Sequence, residues 1–231
     1  MIRKAFGIFC FAGLLSLQSV WGAGKTTLVI GYAELDGDPR YREDRRYAGI
    51  EFKPRGRPWP GAEVAIRESR IVGRAIGIKF RLEKVSVKSE PELAEAIVRL
   101  HEKQNVSFVL VDAPAEALLT VANAAQGKPL LLFNVSESAD ELRGNQCRPH
   151  LMHTIPSYAM LADGLAQYLV TKQWRNLLLL QGKLPRDQAF SQAFRKTAKK
   201  FGLKITEEKE FVLSNDPRQR DQNNIALLTT H

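Results

Sequence analysis

The stretch VSFVLVDAPAEALLTVANAAQGKPLLLFNVSES, residues 106–138, contains the unit from which the fold can be predicted. Residues 106–111 are almost wholly apolar, which is typical of a strand that is covered on both faces. A helical segment follows at residues 114–125, and a glycine and a proline end it. Residues 130–135 form a second apolar run. An apolar strand, a helix and another apolar strand predict parallel strands joined by a crossover helix.

The same alternation continues on both sides of this unit, so we predict an α/β protein. Strand patterns lie at residues 27–32, 80–87, 151–155, 176–181 and 203–213, and helical patterns at 61–77, from Pro91, and at 157–172, 186–201 and 216–228. A looser stretch at residues 136–149 divides the pattern into a first lobe at residues 23–149 and a second at 150–231. No strand pattern follows the last helix, so we expect the second lobe to be partial.

The N-terminal segment at residues 1–22 has the pattern of a secretion signal. Arg3 and Lys4 form a positive start, and an uncharged, apolar run follows at residues 5–20. This run is shorter than the ~20 apolar residues that a transmembrane helix needs. We expect cleavage after Gly22, and therefore export to the periplasm.

Residues 23–27, AGKTT, resemble the end of a phosphate-binding loop. Such a loop needs a glycine five residues before its final Gly-Lys, so that backbone N–H groups can surround the phosphates. Ser19 occupies that position. We therefore predict no nucleotide site.

The charge and the cysteines limit the partners. The formal net charge is +9, and loss of Arg3 and Lys4 lowers it to +7. Basic proteins can bind nucleic acid, anionic membranes or acidic ligands, but exported proteins rarely meet nucleic acid. We therefore expect a solvated basic surface and no nucleic-acid partner. Cys10 lies in the signal, so Cys147 is left as a lone, partly buried thiol or as one that pairs with another chain.

Catalytic and metal-binding patterns are missing from the sequence. It contains no nucleophile elbow, no dinucleotide fingerprint and no zinc-binding His-Glu-x-x-His. His150 and His153 are close in sequence, but on one strand they would point to opposite faces and could not share a metal. We predict no catalytic residues, no metal and no cofactor, and therefore no enzyme.

Polar residues follow several of the predicted strands, at the edge of the sheet where open α/β folds bind ligands. These groups are Glu34 and Asp36, Asp112 with its neighbours, residues 134–138 and residues 181–185. A second interpretation is structural, because Asp112 could cap the helix that opens at Pro114, and Ser136 the turn after its strand. One residue could do both.

Residues 40–47, RYREDRRY, alternate arginines with tyrosines. Such a segment could grip an acidic or flat ligand. Glu43 and Asp44 partly neutralise it, so a solvated loop is the other interpretation.

Three segments together resemble a known family. They are HLMHTIPSYAMLADGLAQYLVTKQWRNLLLLQG at residues 150–182, DQAFSQAFRKTAKKFGLKI at 187–205 and NDPRQRDQNNIALL at 215–228. They are similar to type I periplasmic solute-binding proteins of ABC transporters, of the branched-chain amino-acid-binding type. The opening GYAELDGDPRYREDRRYAGIEF, residues 31–52, resembles the subgroup associated with alcohol dehydrogenase systems that depend on pyrroloquinoline quinone (PQQ).

The resemblance implies two Rossmann-like lobes that close over a small molecule and present it to an ABC permease at the inner membrane. It also implies which residues bind the ligand. These are Asp112, Ala113, Asn134 and Ser136 in the first lobe and Ser157 at the start of the second.

The sequence departs from the family pattern in two places. Amino-acid binders of this family hold the ligand carboxylate with a loop rich in glycine and serine, where this chain has residues 112–115, Asp-Ala-Pro-Ala. An acid that faces a carboxylate repels it, which disfavours a standard amino-acid ligand. The family also continues with strands beyond the position of His231, so we expect a C-terminally truncated second lobe with weakened or absent binding.

Three functions are compatible with the sequence. The first is substrate binding for an ABC transporter. The second is a periplasmic sensor or accessory subunit of an alcohol-oxidation system that has no permease. An exported enzyme is the third, and it would need catalytic residues that the sequence does not show.

Overall fold

A computed structural model describes residues 26–41, 44–45, 51–52, 56–214 and 216–229. The predicted signal at residues 1–22 and half of the Arg/Tyr segment, residues 42–43 and 46–47, lie outside the described residues. The elements in chain order are β1 Thr26–Leu35, β2 Asp44–Arg45, β3 Glu51–Phe52, α1 Trp59–Glu68, α2 Arg70–Ile76, β4 Ile78–Val87, α3 Glu90–Gln104, β5 Phe108–Asp112, α4 Ala115–Ala125, β6 Leu131–Asn134, β7 Leu151–His153, α5 Tyr158–Thr171, β8 Asn176–Gln181, α6 Pro185–Lys200, β9 Lys204–Glu210, α7 Arg220–Asn223 and α8 Ile225–Thr229.

The first sheet has five parallel strands in the order β4-β1-β5-β6-β7. Its centre is the apolar unit from which the fold was predicted, and Val109 and Val111 of β5 are fully buried. Apolar side chains of α3 and α4, among them Ile97 and Leu118, pack into the same core. Since all five strands run the same way, their carboxyl ends meet at one edge of the sheet, where a ligand site is expected.

The second lobe is a smaller α/β unit. Strands β8 and β9 pair in parallel, and helices α5 and α6 pack against each other and against this pair. Ala162, Ala166 and Ala193 are buried where the two helices meet, with Phe194 beside them. Small side chains let the helix backbones approach, so a two-stranded sheet is enough to build a core on this side.

The predicted helix at residues 61–77 is two helices in the structure. The Ser69 hydroxyl, at the junction of α1 and α2, donates to the Ala65 carbonyl oxygen over 2.7 Å, a local bond that competes with the helical ladder. Gly73 is the buried residue of α2. A Cβ at this position would lie 2.4 Å from the carbonyl oxygen of Ile78, so the space admits no side chain. Ile71 and Val72 of the same helix lie at the surface.

Two further boundaries differ from prediction. The last predicted helix, residues 216–228, is a 3₁₀ turn at Pro217–Gln219 followed by the short helices α7 and α8. The predicted lobe boundary at residues 149–150 assigns β7 to the second lobe, whereas β7 pairs with β6 in the first sheet. We therefore propose that the first lobe runs through His153.

Over the described ranges, no helix is both long and apolar enough to cross a membrane.

Candidate ligand-binding site

Asp112 is the last residue of β5 and is fully buried at the carboxyl edge of the first sheet. Four donors among the described residues reach its carboxylate. They are the hydroxyl of Tyr32 at 3.2 Å, the hydroxyl of Tyr41 at 2.7 Å, Nη2 of Arg40 at 3.3 Å and Nη1 of Arg57 at 3.1 Å. The buried charge is thus compensated by two guanidinium groups and two hydroxyls.

Arg40 is held by three carboxylates. Its backbone N–H and its Nε donate to Asp38, and its Nη2 lies 2.7 Å from the same carboxylate. Its Nη1 donates to Glu137 over 3.2 Å, which connects the loop after β1 to the loop after β6. Burial opposes the charge of Arg40, but the hydrogen bonds and charge of Asp38 outweigh it and raise the pKa of the guanidinium.

Arg57 approaches the same carboxylate from the segment before α1. Its Nη2 donates to the Leu35 carbonyl oxygen over 2.7 Å, and its guanidinium carbon lies 4.5 Å from the centre of the Tyr41 ring. Glu34 lies 3.7 Å from Arg57 and pairs with Lys84 at 2.9 Å. The end of β1 and the two loops are therefore tied together through charged groups.

The two tyrosines are donors at neutral pH. Burial, followed by the negative charge of Asp112, raises the pKa of Tyr32 far above its ordinary value. Burial and the hydrogen bond to Asp112 raise the pKa of Tyr41 as well, and the charge of Arg40 opposes this rise only in part. Both hydroxyls therefore keep their protons and stabilise the Asp112 carboxylate.

The alternative interpretation of Asp112 as a helix cap is wrong. Helix α4 has Pro114 at its N-cap, and no described side chain accepts a hydrogen bond there. The turn after β6 is likewise held by Asn134 rather than by Ser136, because the Asn134 side-chain oxygen accepts the backbone N–H groups of Ser136 and Glu137 at 3.2 and 2.9 Å.

Asn134 is fully buried and uses both ends of its amide. Its nitrogen donates to the Glu137 carbonyl oxygen over 2.7 Å and to Nδ1 of His153 over 3.0 Å. Because the amide oxygen accepts two backbone N–H groups, the amide orientation is fixed and Nδ1 of His153 acts as the acceptor. Burial and the positive charge of Arg143 lower the pKa of His153, which keeps its ring neutral.

Four of the five predicted ligand residues, those on the loops after β5 and β6, are brought together by the structure. Asp112, Ala113 and Asn134 are fully buried, and Ser136 and Ser157 nearly so. Ser157 caps α5 as its sequence position suggested, since its hydroxyl oxygen accepts the Met160 N–H over 3.3 Å. The Tyr158 N–H donates to the Ser138 carbonyl oxygen over 3.0 Å, which places the start of α5 beside the first-lobe loops. Ligand contact by these five residues stays a prediction.

A cleft of about 620 Å³ lies next to them, between the first-lobe loops and α6. Its acidic groups belong to the first lobe, and apart from Arg40 its basic groups belong to the second. The lining residues are Arg40, Ala115, Glu137, Ala139, Asp140, Glu141 and Asn145 from the first lobe and Tyr158, Pro185, Arg186, Ala189, Gln192, Ala193 and Lys196 from the second. The five predicted residues therefore lie behind the wall of this cleft rather than on it.

The Arg/Tyr segment contributes in a way that neither sequence interpretation foresaw. Arg40 and Tyr41 are bound to the protein's own Asp112, and Arg40 also lines the cleft. Sequence reasoning missed Arg57 and Tyr32 altogether. The only signal for Tyr32 was its place near the end of β1, and Arg57 carried none.

His150 and His153 bind separate partners, and Cys147 lies at the surface. Nε2 of His150 bonds the Ala122 carbonyl oxygen at 2.7 Å, and His153 bonds Asn134, so the two side chains are used separately. Searching residues 26–229 without the undescribed positions, we find no group of three His, Cys, Asp or Glu residues that could hold a metal ion. Cys147 is exposed, whereas partial burial was expected.

Comparison with known proteins identifies the family. The sequence pattern of the periplasmic binding protein family matches residues 58–219, which is well over half of the chain. The chain belongs to this family. Membership confirms the predicted fold class and agrees with the prediction that the chain is not an enzyme, and it implies a periplasmic location.

Solved structures of similar fold come from several bacteria. An ABC transporter substrate-binding protein from Desulfitobacterium hafniense is 18% identical with a TM-score of 0.59, over 80% of this chain and 51% of its own. A branched-chain amino-acid ABC transporter ligand-binding protein from Burkholderia xenovorans is 17% identical with a TM-score of 0.59, over 80% and 46%. A solute-binding protein from Rhodopseudomonas palustris in complex with benzoate is 12% identical with a TM-score of 0.53, over 84% and 51%.

The chain spans about half the length of these solved structures. At such low identity, the likeness concerns the fold alone. No curated protein matches the chain significantly.

Proposed function

We propose that this protein is the substrate-binding component of an ABC transporter and that it captures one small molecule between its two lobes for delivery to a permease. The observation that carries the proposal is the cleft, whose walls come from the first-lobe loops on one side and from α6 on the other. Family membership supports the same function.

The cleft has the properties of a small-molecule site. Its volume of about 620 Å³ falls inside the ~300–1,000 Å³ range that is usual for such sites. Alanines on both walls provide apolar surface, and a few charged groups are available to orient a ligand. Pro185 opens α6 at this cleft, so the positive end of that helix also faces it.

Opposite charges on the two walls favour closure around a ligand. Glu137, Asp140 and Glu141 line the first-lobe wall, and Arg186 and Lys196 line the second. A molecule that contacts both walls binds the closed arrangement more tightly than the open one, and this difference in affinity shifts the population towards closure. Closure is the signal that a permease of this transporter class would read.

A pair of glutamine variants tests the function. Gln192 lines the cleft, whereas Gln188, one turn earlier on the same exposed surface of α6, does not. Native mass spectrometry of protein purified from its own periplasm should show one bound small molecule on the wild type and on Gln188→Trp. Gln192→Trp should carry none, because the indole fills the cleft. A ligand retained equally by both variants would refute the cleft as the binding site.

We also propose the signal processing that the sequence predicts, and a lobe order in which the predicted boundary at residues 149–150 moves to the end of β7. Residues 1–22 would be removed on export, and the remaining chain would contain a first lobe that runs through β7 and a second lobe that begins after it. N-terminal sequencing of the periplasmic protein tests the cleavage after Gly22. An intact N-terminus would contradict it.

The proposed link to PQQ-dependent alcohol oxidation rests on the resemblance of residues 31–52, many of which lie outside the described residues. The alternative role, a sensor or accessory subunit without transport, makes a different genetic prediction. Permease and ATPase genes beside this gene favour transport. A neighbouring alcohol dehydrogenase without transporter genes favours the accessory role.

A further inference from the structure

The groups around Asp112 make up a complete carboxylate-binding site. Two guanidinium groups and two hydroxyls converge within 3.3 Å of its two oxygens. Proteins bind the carboxylate of a ligand with clustered donors of this kind, from arginine and tyrosine side chains. Here the carboxylate is supplied by the protein itself.

The donors and the acceptor come from different parts of the chain. Tyr32 lies in β1, Arg40 and Tyr41 lie in the loop after it, and Arg57 precedes α1. Asp112 enters this group from β5, at the edge of the sheet where open α/β folds bind their ligands. An arrangement that would otherwise attract an anion therefore lies beside the cleft and is already filled.

We infer that the Asp112 carboxylate acts as a built-in substitute for the carboxylate of a ligand, and that the first lobe thereby selects a molecule that is uncharged or cationic where it meets this lobe. The statement about the ligand rests on the proposed function. The statement about the internal carboxylate rests only on the contacts of Asp112.

The local charge supports this selectivity. Among the described residues, three cations (Arg40, Arg57 and Lys84) face four carboxylates (Glu34, Asp38, Asp112 and Glu137), so this part of the cluster has one negative charge in excess. A ligand carboxylate would add a second. Glu137 lines the cleft next to Asp140 and Glu141, and these groups can accept hydrogen bonds from an amine, an amide or a hydroxyl.

Removal of the carboxylate should convert this cluster into an open anion site. In Asp112→Ala the two tyrosine hydroxyls and Nη1 of Arg57 lose their shared acceptor, and buried donors without acceptors destabilise a protein. Formate carries a carboxylate and one hydrogen, so it fits the space that the substitution leaves. Asp112→Gly leaves room for acetate.

Thermal unfolding in sodium formate, compared with sodium chloride at equal ionic strength, tests the inference. Asp112→Ala should melt several degrees below the wild type in chloride. Formate at about ten times its dissociation constant should then raise the melting temperature of this variant by about 3 °C. The wild type should not respond, and neither should Asp112→Ala in formamide, which lacks the charge.

Two controls make the outcome decisive. Asp163 pairs with Lys200 and Thr197 at the surface of the second lobe, so Asp163→Ala creates no buried cavity for formate and should not respond. Asp112→Asn keeps the side-chain volume, so it should be destabilised but insensitive to formate. An equal formate response in the wild type and in Asp112→Ala would overturn the inference, as would a wild-type melting temperature in Asp112→Ala.

If Asp112→Ala does not fold in chloride, the inference is tested by refolding this variant from urea in the same two salts. Refolding from urea in formate but not in chloride supports the inference, and failure in both salts overturns it. None of these measurements uses the transported molecule. Their failure would leave the proposed function intact, and an empty cleft would leave the formate response intact.

Discussion

Nη1 of Arg57 donates to the Asp112 carboxylate over 3.1 Å, while the guanidinium of the same arginine lies 4.5 Å from the centre of the Tyr41 ring. This relationship joins residues 55 positions apart and fixes the loops at the carboxyl edge of the first sheet.

Substitution of Arg57 should strongly destabilise the first lobe. Arg57→Ala leaves the fully buried Asp112 with one cation fewer, and removal of one partner of a buried ion pair costs about 3–5 kcal/mol. Because Arg57 is partly exposed, we expect about 3 kcal/mol in the free energy of unfolding, measured by urea denaturation. Arg99 forms an exposed pair with Glu95 on α3, so Arg99→Ala should cost less than about 0.5 kcal/mol. Equal losses for the two variants would contradict the account.

Alkaline pH should destabilise the protein through Tyr32 and Tyr41. Their pKa values are raised in the folded state, so above pH 10.0, the ordinary tyrosine value, the unfolded chain ionises while the folded protein keeps both protons. Stability that is complete below pH 10.0 is therefore lost as the pH rises above it. Urea midpoints at pH 9 and 11 check this expectation.

Tyrosine-to-phenylalanine variants provide the comparison for the alkaline effect. Tyr41→Phe should lose stability at pH 9 but show a smaller further fall at pH 11 than the wild type. Tyr168 is exposed on α5, so Tyr168→Phe should keep the wild-type pH profile. A wild-type profile in Tyr41→Phe would show that its hydroxyl is not bound to Asp112.

Asn134 should be sensitive even to its closest analogue. Asn134→Asp replaces a donor that faces the Glu137 carbonyl oxygen with a second acceptor, in a fully buried position. We expect a loss of about 3 kcal/mol in the free energy of unfolding, at the upper end of the cost of an unsatisfied buried group. Asn123→Asp, an exposed change on α4, is the matched control and should cost far less. Similar losses would contradict the role assigned to Asn134.

Mild acid should destabilise the protein through His153. Burial and the charge of Arg143 lower the pKa of this ring, so below pH 6.5 the unfolded chain takes up a proton that the folded protein excludes. Stability is complete above pH 6.5 and is lost as the pH falls towards the folded pKa. The urea midpoint of the wild type should fall between pH 7.5 and 5.5, and that of His153→Gln should fall less. Identical slopes would exclude His153 as the source.

The fold could be predicted because its signals are local. The apolar runs of β5 and β6 and the serine that caps α5 are visible in short windows, and the structure confirms them. The pairing of β7 with β6 and the surface position of Ile71 depend on which elements meet in space. Short windows contain no information on such contacts.

The candidate site could be predicted only in part, for the same reason. Strand ends directed attention to Asp112 and Asn134, and both lie at the expected edge of the sheet. Their chemistry depends on partners far away in sequence, since Tyr32 is 80 positions from Asp112 and Arg40 is 97 positions from Glu137. An acid that was expected to repel a ligand carboxylate is instead enclosed by arginines and tyrosines.

The central claim is that one small molecule is held between the two lobes. Hydrogen–deuterium exchange of the periplasmic protein, with its bound molecule and after removal of that molecule by unfolding and refolding, tests this claim most directly. The account predicts that the bound molecule slows exchange on both walls of the cleft, in residues 137–145 of the first lobe and in α6 of the second. Protection confined to one lobe, or no protection of either wall, would contradict it.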